Sequence, residues 1–177
     1  MRPLQPDQFQ PLLTPAALLA GRRDGALRIR HARENDLPEI HRLDREAFPD
    51  AAYPYFTLRQ LYDLFDDFLL VVEDADGHVL VGYILACPKP GGESCWLHSL
   101  VVTAGLRGQG LGRRLLGEAL GLLRAADVRE ARLTVDPDNT TALALYKSLG
   151  FTPDPEGPYT DYYGPGENRM TMTLHLR

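Results

Sequence analysis

One segment constrains this 177-residue chain more than any other: an apolar stretch, residues 94–102, followed closely by the glycine turn Arg107-Gly108-Gln109-Gly110-Leu111-Gly112 and a long amphipathic run. Over residues 110–127, Leu111, Leu115, Leu116, Ala119, Leu122 and Leu123 recur at helical spacing, and residues 131–135 then read as a strand. Strand, helix, strand is a crossover, which requires a sheet with a helix packed on it.

The remaining segments supply more strands and helices. Residues 27–31 alternate apolar with basic side chains and read as a first strand. Asn35 or Asp36 can cap a helix carrying Leu37, Ile40, Leu43 and Ala47, and Thr57 can cap a second carrying Leu58, Leu61, Tyr62 and Phe65. Residues 68–73 and 79–87 flank Asp74-Ala75-Asp76-Gly77 as a hairpin, and residues 94–102 return after Pro-Gly-Gly. Residues 140–149 form a further helix ended by Gly150, and residues 170–176 alternate as a last strand after a loop over 153–167. Residues 1–25, proline-rich with one helix signal at Thr14, Pro15 and Gly21, are expected to be an extension to a domain spanning 26–177. The fold class expected is α/β (α+β): a mixed, mostly antiparallel central sheet of six to seven strands flanked by about four helices.

Bulk properties narrow the partners. A net charge of -5 lacks the basic footprint of a nucleic-acid binder and suits a cationic amine. No apolar run approaches the roughly 18 residues of a membrane helix, and Pro3 interrupts any leader, so neither membrane nor export is expected and the location expected is cytoplasmic. Cys87 and Cys95 have no partners at zinc spacing, so two buried thiols and no metal are expected.

Glycines at 108, 110 and 112 leave backbone amides open at the positive end of a helix, where an anion belongs. Arg107, Arg113 and Arg114 add charge for a phosphate-rich ligand such as coenzyme A. Position 113 is Arg where a dinucleotide fingerprint needs its third glycine, and the Gly-Lys-Ser/Thr ending of a P-loop is missing. Asn139 and Tyr146, seven residues apart, lie two helical turns along one face with the small Ala142 between them.

Val101-Val102, the turn Arg107 to Gly112, and the segment Asn139 to Phe151 together resemble the two cofactor motifs of the GNAT acetyltransferase superfamily. The local likeness is strongest to its ribosomal-protein and protein N-terminal acetyltransferase branch, which Tyr162-Tyr163 also resembles. The resemblance implies acetyl-CoA as cosubstrate, bound by Leu100, Val101 and Val102 through their backbone, by Arg107, Gly108, Gln109, Gly110, Leu111, Gly112 and Arg113, and by Asn139 and Tyr146. It implies direct attack by a primary amine in a ternary complex, with Tyr146 protonating the leaving sulfur, and no metal.

The N-terminal acetyltransferase pattern often sets Glu or His five residues before the Asn, where this chain has Thr134, which cannot serve as a base. His98 is the replacement expected, on one strand face with Trp96 and Leu100; arylalkylamine N-acetyltransferases place a histidine at this spacing, and the Glu46 segment is similar to theirs. Glu46, Glu93 and Asp136 are the other candidates. Tyr53, Tyr55 and Phe56 in one loop and Tyr159, Tyr162 and Tyr163 in another are expected to wall the acceptor. A peptide N-terminus is the acceptor favoured; a small-molecule amine (arylalkylamine, polyamine or antibiotic) and a non-catalytic acyl-CoA sensor are the alternatives, in a monomer or homodimer.

Overall fold

The computed structural model describes residues 27–74 and 79–176. The helix signal at Thr14 to Gly21 and the turn residues Ala75, Asp76 and Gly77 lie outside them.

Among the described residues, seven strands form one sheet: β1 (Arg28–His31), β2 (Leu69–Glu73), β3 (Leu80–Pro88), β4 (Ser94–Val102), β5 (Glu130–Val135), β6 (Thr152–Pro153) and β7 (Met170–His175). Their order is β1-β2-β3-β4-β5-β7-β6, with β4 and β5 the parallel pair and every other neighbour antiparallel. Among the described residues the four α-helices are α1 (Leu37–Ala47), α2 (Tyr55–Phe65), α3 (Leu111–Ala125) and α4 (Thr140–Ser148). The crossover expected from the sequence is α3, linking β4 to β5.

Alternation along the strands makes two cores. Val81, Ile84 and Ala86 of β3 face Leu111, Leu115, Leu116, Ala119 and Leu123 of α3, with α4 against the same side. Tyr83, Leu85 and Cys87 face Leu37, Ile40 and Leu43 of α1 and Leu58 of α2. From Tyr83 to Cys87 the period of two on β3 meets the helical period of α1 and α3 face to face, and Val81 reaches the α3 side because the pairing with β2 slips by one residue between Gly82 and Leu80. Cys87 and Cys95 are free and buried in different cores, and burial raises both thiols to about 12.

Three local expectations are corrected. α2 begins two residues before Thr57: the N–H groups of Thr57 and Leu58 both donate to the carbonyl of Pro54, whose ring presets the helical entry. Asp36 makes no side-chain cap to α1; its carboxylate accepts the Arg33 N–H at 2.7 Å and closes a 3₁₀ turn ahead of the helix. β6, two residues inside a stretch read partly as loop, pairs Thr152 with Thr173 and Pro153 with Met172 of β7. A two-residue edge strand gives no period to detect.

The strand pairing also makes an opening. β4 and β5 pair only from Ser94–Glu130 to Trp96–Arg132, while β5 pairs with β7 along its whole length. Beyond Trp96, the β5-facing edge of β4 carries backbone groups without a strand partner. One step on β3, Leu85 to Ala86, spans two on β4, Ser99 to Leu97, so His98 is the extra residue of a bulge.

Candidate active site

The bulge places the histidine. Before it, Cys95 and Leu97 pack toward α3; after it, Leu100 and Val102 do. The alternation inverts at His98, so His98 keeps the face of Trp96 but Leu100 is turned to the opposite one, a correction to the regular-strand expectation.

A cavity of about 270 Å³ lies in the opening, lined by Tyr53, Trp96, Leu97, His98, Thr134, Tyr162 and Tyr163. His98 is exposed on the cavity wall, and the burial of part of its ring pushes its pKa below the ordinary 6.5. The imidazole is therefore neutral at pH 7 and able to take a proton. Its Nδ1 lies 3.2 Å from the hydroxyl of Tyr53. Across the cavity the hydroxyls of Thr134 and Tyr163 are 2.8 Å apart. Tyr162 meets Tyr163 edge-on with centroids 4.8 Å apart, and the Arg169 guanidinium lies 5.1 Å from the Tyr163 ring centre, fixing the second aromatic wall.

Tyr55 and Glu46 stand apart from this cavity. Tyr55 is edge-on to His41 at 5.5 Å, and Glu46 is exposed on α1 and ion-paired with Arg42. Phe56 is two-thirds exposed, and Tyr159 donates to Asp154. Glu93 and Asp136 are exposed and likewise absent from its walls. Thr134 was legible only as a missing base; its role in bonding Tyr163 depends on the path of residues 153–169, for which the sequence carries no period.

The glycine turn stands at the start of α3. Gly108 and Gly110 have φ of +77° and +78°, the left-handed region that side chains resist, with nothing within 4 Å of where a β-carbon would stand. Glycine is needed there for conformation, and the space beside it is open. The first helical bond runs from the Arg114 N–H to the Gly110 carbonyl at 3.0 Å, so the amides of Leu111, Gly112 and Arg113 precede the intrahelical ladder. The Arg107 Nε donates to the Val102 carbonyl at 3.0 Å and ties the turn to the end of β4.

The second motif is joined to the first. A β-carbon on Gly112 would stand 3.6 Å from Leu145 of α4, and Arg113 donates to Ser148. Asn139 caps α4, its Oδ1 accepting the Ala142 N–H at 3.0 Å, and its side chain is otherwise exposed. Tyr146 packs edge-on to Phe151 at 5.8 Å against the α3-side core, and burial raises its phenol to about 12. Arg107 ties the open amides of the turn to the end of β4, whose edge beyond Trp96 has no strand partner, while Asn139 and Tyr146 are not among the residues lining the cavity.

The model of the acetyltransferase (GNAT) family matches residues 35–151. The chain belongs to this family. Among relatives of this GNAT chain, a mycothiol acetyltransferase from Beutenbergia cavernae is 37% identical over 149 residues, 78% of this chain and 49% of that protein. The chain thus spans about half the length of that relative. An N-alpha-acetyltransferase from Sulfurisphaera tokodaii is 29% identical over 84% of this chain and 93% of that protein. In fold, a Salmonella typhimurium protein solved with its cofactor acetyl-CoA superposes with a TM-score of 0.72 at 22% identity, covering 86% of this chain and 95% of that one.

The residues present fit the donor of the GNAT family. The open amides and positive end of α3, beside Arg113 and Arg114, suit a pyrophosphate, and the edge of β4 at Leu100 to Val102, which no strand pairs and where Arg107 takes the Val102 carbonyl, offers its remaining groups to an extended amide-bearing arm. No group of His, Cys, Asp and Glu able to hold a metal occurs among the described residues, and no helix among them is long and apolar enough to cross a membrane.

Proposed function

We propose that this GNAT protein transfers an acetyl group from acetyl-CoA to a primary amine, and that the amine is the N-terminus of a peptide. The observation carrying the reading is the cavity itself, which sets a neutral histidine and an aromatic wall at the gap between β4 and β5, next to the open edge of β4.

Bound acetyl-CoA supplies the thioester-activated acetyl group; residues Leu100 to Val102, Arg107 to Arg113 and Asn139 would hold it. His98 removes the proton that keeps the amine from attacking, its lowered pKa keeping it in the accepting form. Tyr146 holds its hydroxyl proton throughout the neutral range and is the acid. Tyr53, Tyr162 and Tyr163 embrace the acceptor, and a cavity of about 270 Å³ has room for one terminal residue while the rest of a peptide runs outward. The N-alpha-acetyltransferase relative, matched along 93% of its own length, supports a peptide acceptor.

The likeness to a mycothiol acetyltransferase favours a second reading, a compact small-molecule amine of the same volume. One assay separates the two: acetyl-CoA consumption by the full chain across N-terminal peptides, polyamines, arylalkylamines and aminoglycosides. Peptides turning over with the highest kcat/KM support the first reading. Turnover confined to small amines replaces it with the second, and a thermal shift on adding coenzyme A without turnover of any amine overturns both.

A further inference from the structure

The walls of the cavity bear on the charge of what enters it. Four aromatic side chains, Leu97, His98 and Thr134 line it, and none of these described residues is Asp, Glu, Lys or Arg. Carboxylates on the flanking elements are engaged elsewhere. The oxygens of Asp44, 1% exposed, accept the Tyr53 backbone N–H at 2.7 Å and the Tyr83 hydroxyl. Glu46 pairs with Arg42 on α1, Asp161 accepts the Gly166 N–H at 2.7 Å, and Glu167 pairs with Arg169 at 2.6 Å. An aromatic enclosure can also cage a cation, because a ring face attracts positive charge. At Tyr163 that attraction is already engaged: Arg169, with 19% of its side chain exposed, holds its guanidinium 5.1 Å from the ring centre, while Tyr162 meets the same ring at an interplanar angle of 86°. A cation in the cavity would have a like charge one ring away.

The same walls grade amines by basicity. The proton on the attacking nitrogen passes to His98, whose pKa burial holds below 6.5. For a peptide α-amine, with a pKa of about 8, that transfer is uphill by at least about 1.5 pK units; for a lysine ε-amine, at about 10.4, it is uphill by at least about 4, and each unit is tenfold. We propose that the acceptor is a peptide α-amine carried on an uncharged first residue, and that the uncharged walls, with Arg169 beside Tyr163, exclude a second cation, so that lysine-first termini and polyamines are refused. The inference rests on the reading of this cavity as the acceptor site of an acetyl transfer and adds the charge of the acceptor's first side chain. In the proton step, an N–H bond of the α-ammonium breaks and an N–H bond forms on the His98 ring.

The test offers the full chain acetyl-CoA and short peptides alike from the second position on, beginning with methionine, norleucine, lysine or Nα-acetyl-lysine, with the acetylated nitrogen located by mass spectrometry. Methionine and norleucine termini are expected to turn over with kcat/KM within about threefold of each other. The lysine terminus is expected at least about tenfold below norleucine, which has the same stem without the ammonium, and the ε-amine of the blocked peptide at least about 100-fold below. Arg169→Met, which keeps an alkyl chain beside Tyr163 and removes the charge, is expected to narrow the norleucine-to-lysine ratio at least about threefold. A lysine terminus or a blocked ε-amine taken as well as norleucine, or a ratio that Arg169→Met leaves unmoved, overturns the inference while leaving acetyl transfer standing. If circular dichroism shows Arg169→Met unfolded, the four peptides on the unmodified protein decide alone. Failure of all four peptides while small amines turn over would overturn the peptide acceptor itself, and this inference with it.

Discussion

Gly112 and Leu145 meet where α3 begins: a β-carbon on the glycine would stand 3.6 Å from Leu145 Cδ2, an ordinary contact, with Val102 at 3.9 Å. This contact links the two cofactor motifs, and its dimensions distinguish the glycines of the turn. Gly112 is helical and has room for a methyl group, whereas Gly110 is held at φ +78°. Gly112→Ala is expected to be neutral or to stabilise by about 0.5–1 kcal/mol, since alanine loses less backbone entropy in a helix. Gly110→Ala is expected to cost about 1–2 kcal/mol and to weaken acetyl-CoA binding. Thermal melts and cofactor titrations of the two variants check the pair; equal effects would separate the turn's function from its left-handed backbone.

Tyr146→Phe tests the acid. The ring packs on Phe151 and would be retained, so melting temperature and acetyl-CoA affinity are expected to stay near their starting values. Loss of the proton donor is expected to lower kcat about 100-fold. Steady-state kinetics with binding measured separately checks it, and an undiminished kcat removes the phenol from the chemistry.

How much of this was legible beforehand divides by the range of the interactions. The glycine turn, the α3 stripe and the order of elements were readable because each is written in residues close in sequence: glycines fixing a backbone, leucines at a helical period. The cavity was only partly readable. Tyr53, His98, Tyr162 and Tyr163 were named as candidates, but their meeting depends on a bulge in β4 that no residue type announces and on a loop without periodicity. Glu46 and Tyr55 fell outside for the same reason, since neither α1 spacing nor loop composition encodes which side chain turns toward the sheet opening.

The bond between Thr134 and Tyr163 joins β5 to the late loop at 2.8 Å. Thr134→Val is expected to free the Tyr163 hydroxyl and raise the acceptor KM several-fold, the scale of one lost hydrogen bond near 1 kcal/mol, while the KM for acetyl-CoA is unchanged. Tyr163→Phe should match it, and the double variant should add little, because both single changes delete the same contact. Additive effects in such a cycle would mean that each side chain touches the acceptor separately.

The pH profile tests His98 most directly. Burial disfavours the charged ring, so the neutral form persists below the ordinary 6.5 and the acid limb of kcat/KM is expected to have its midpoint under that value. The sign also governs stability. A histidine with a lowered folded pKa binds fewer protons than in the unfolded chain, so its contribution is fully present above 6.5 and is lost as pH falls toward the folded value. Activity and stability should therefore decline together on acidification. His98→Gln is expected to remove this limb, to lower turnover at pH 7 about 100-fold, and to make stability less sensitive to pH below 6.5. An acid limb that survives in His98→Gln with its midpoint unmoved would transfer the proton-accepting role to another group.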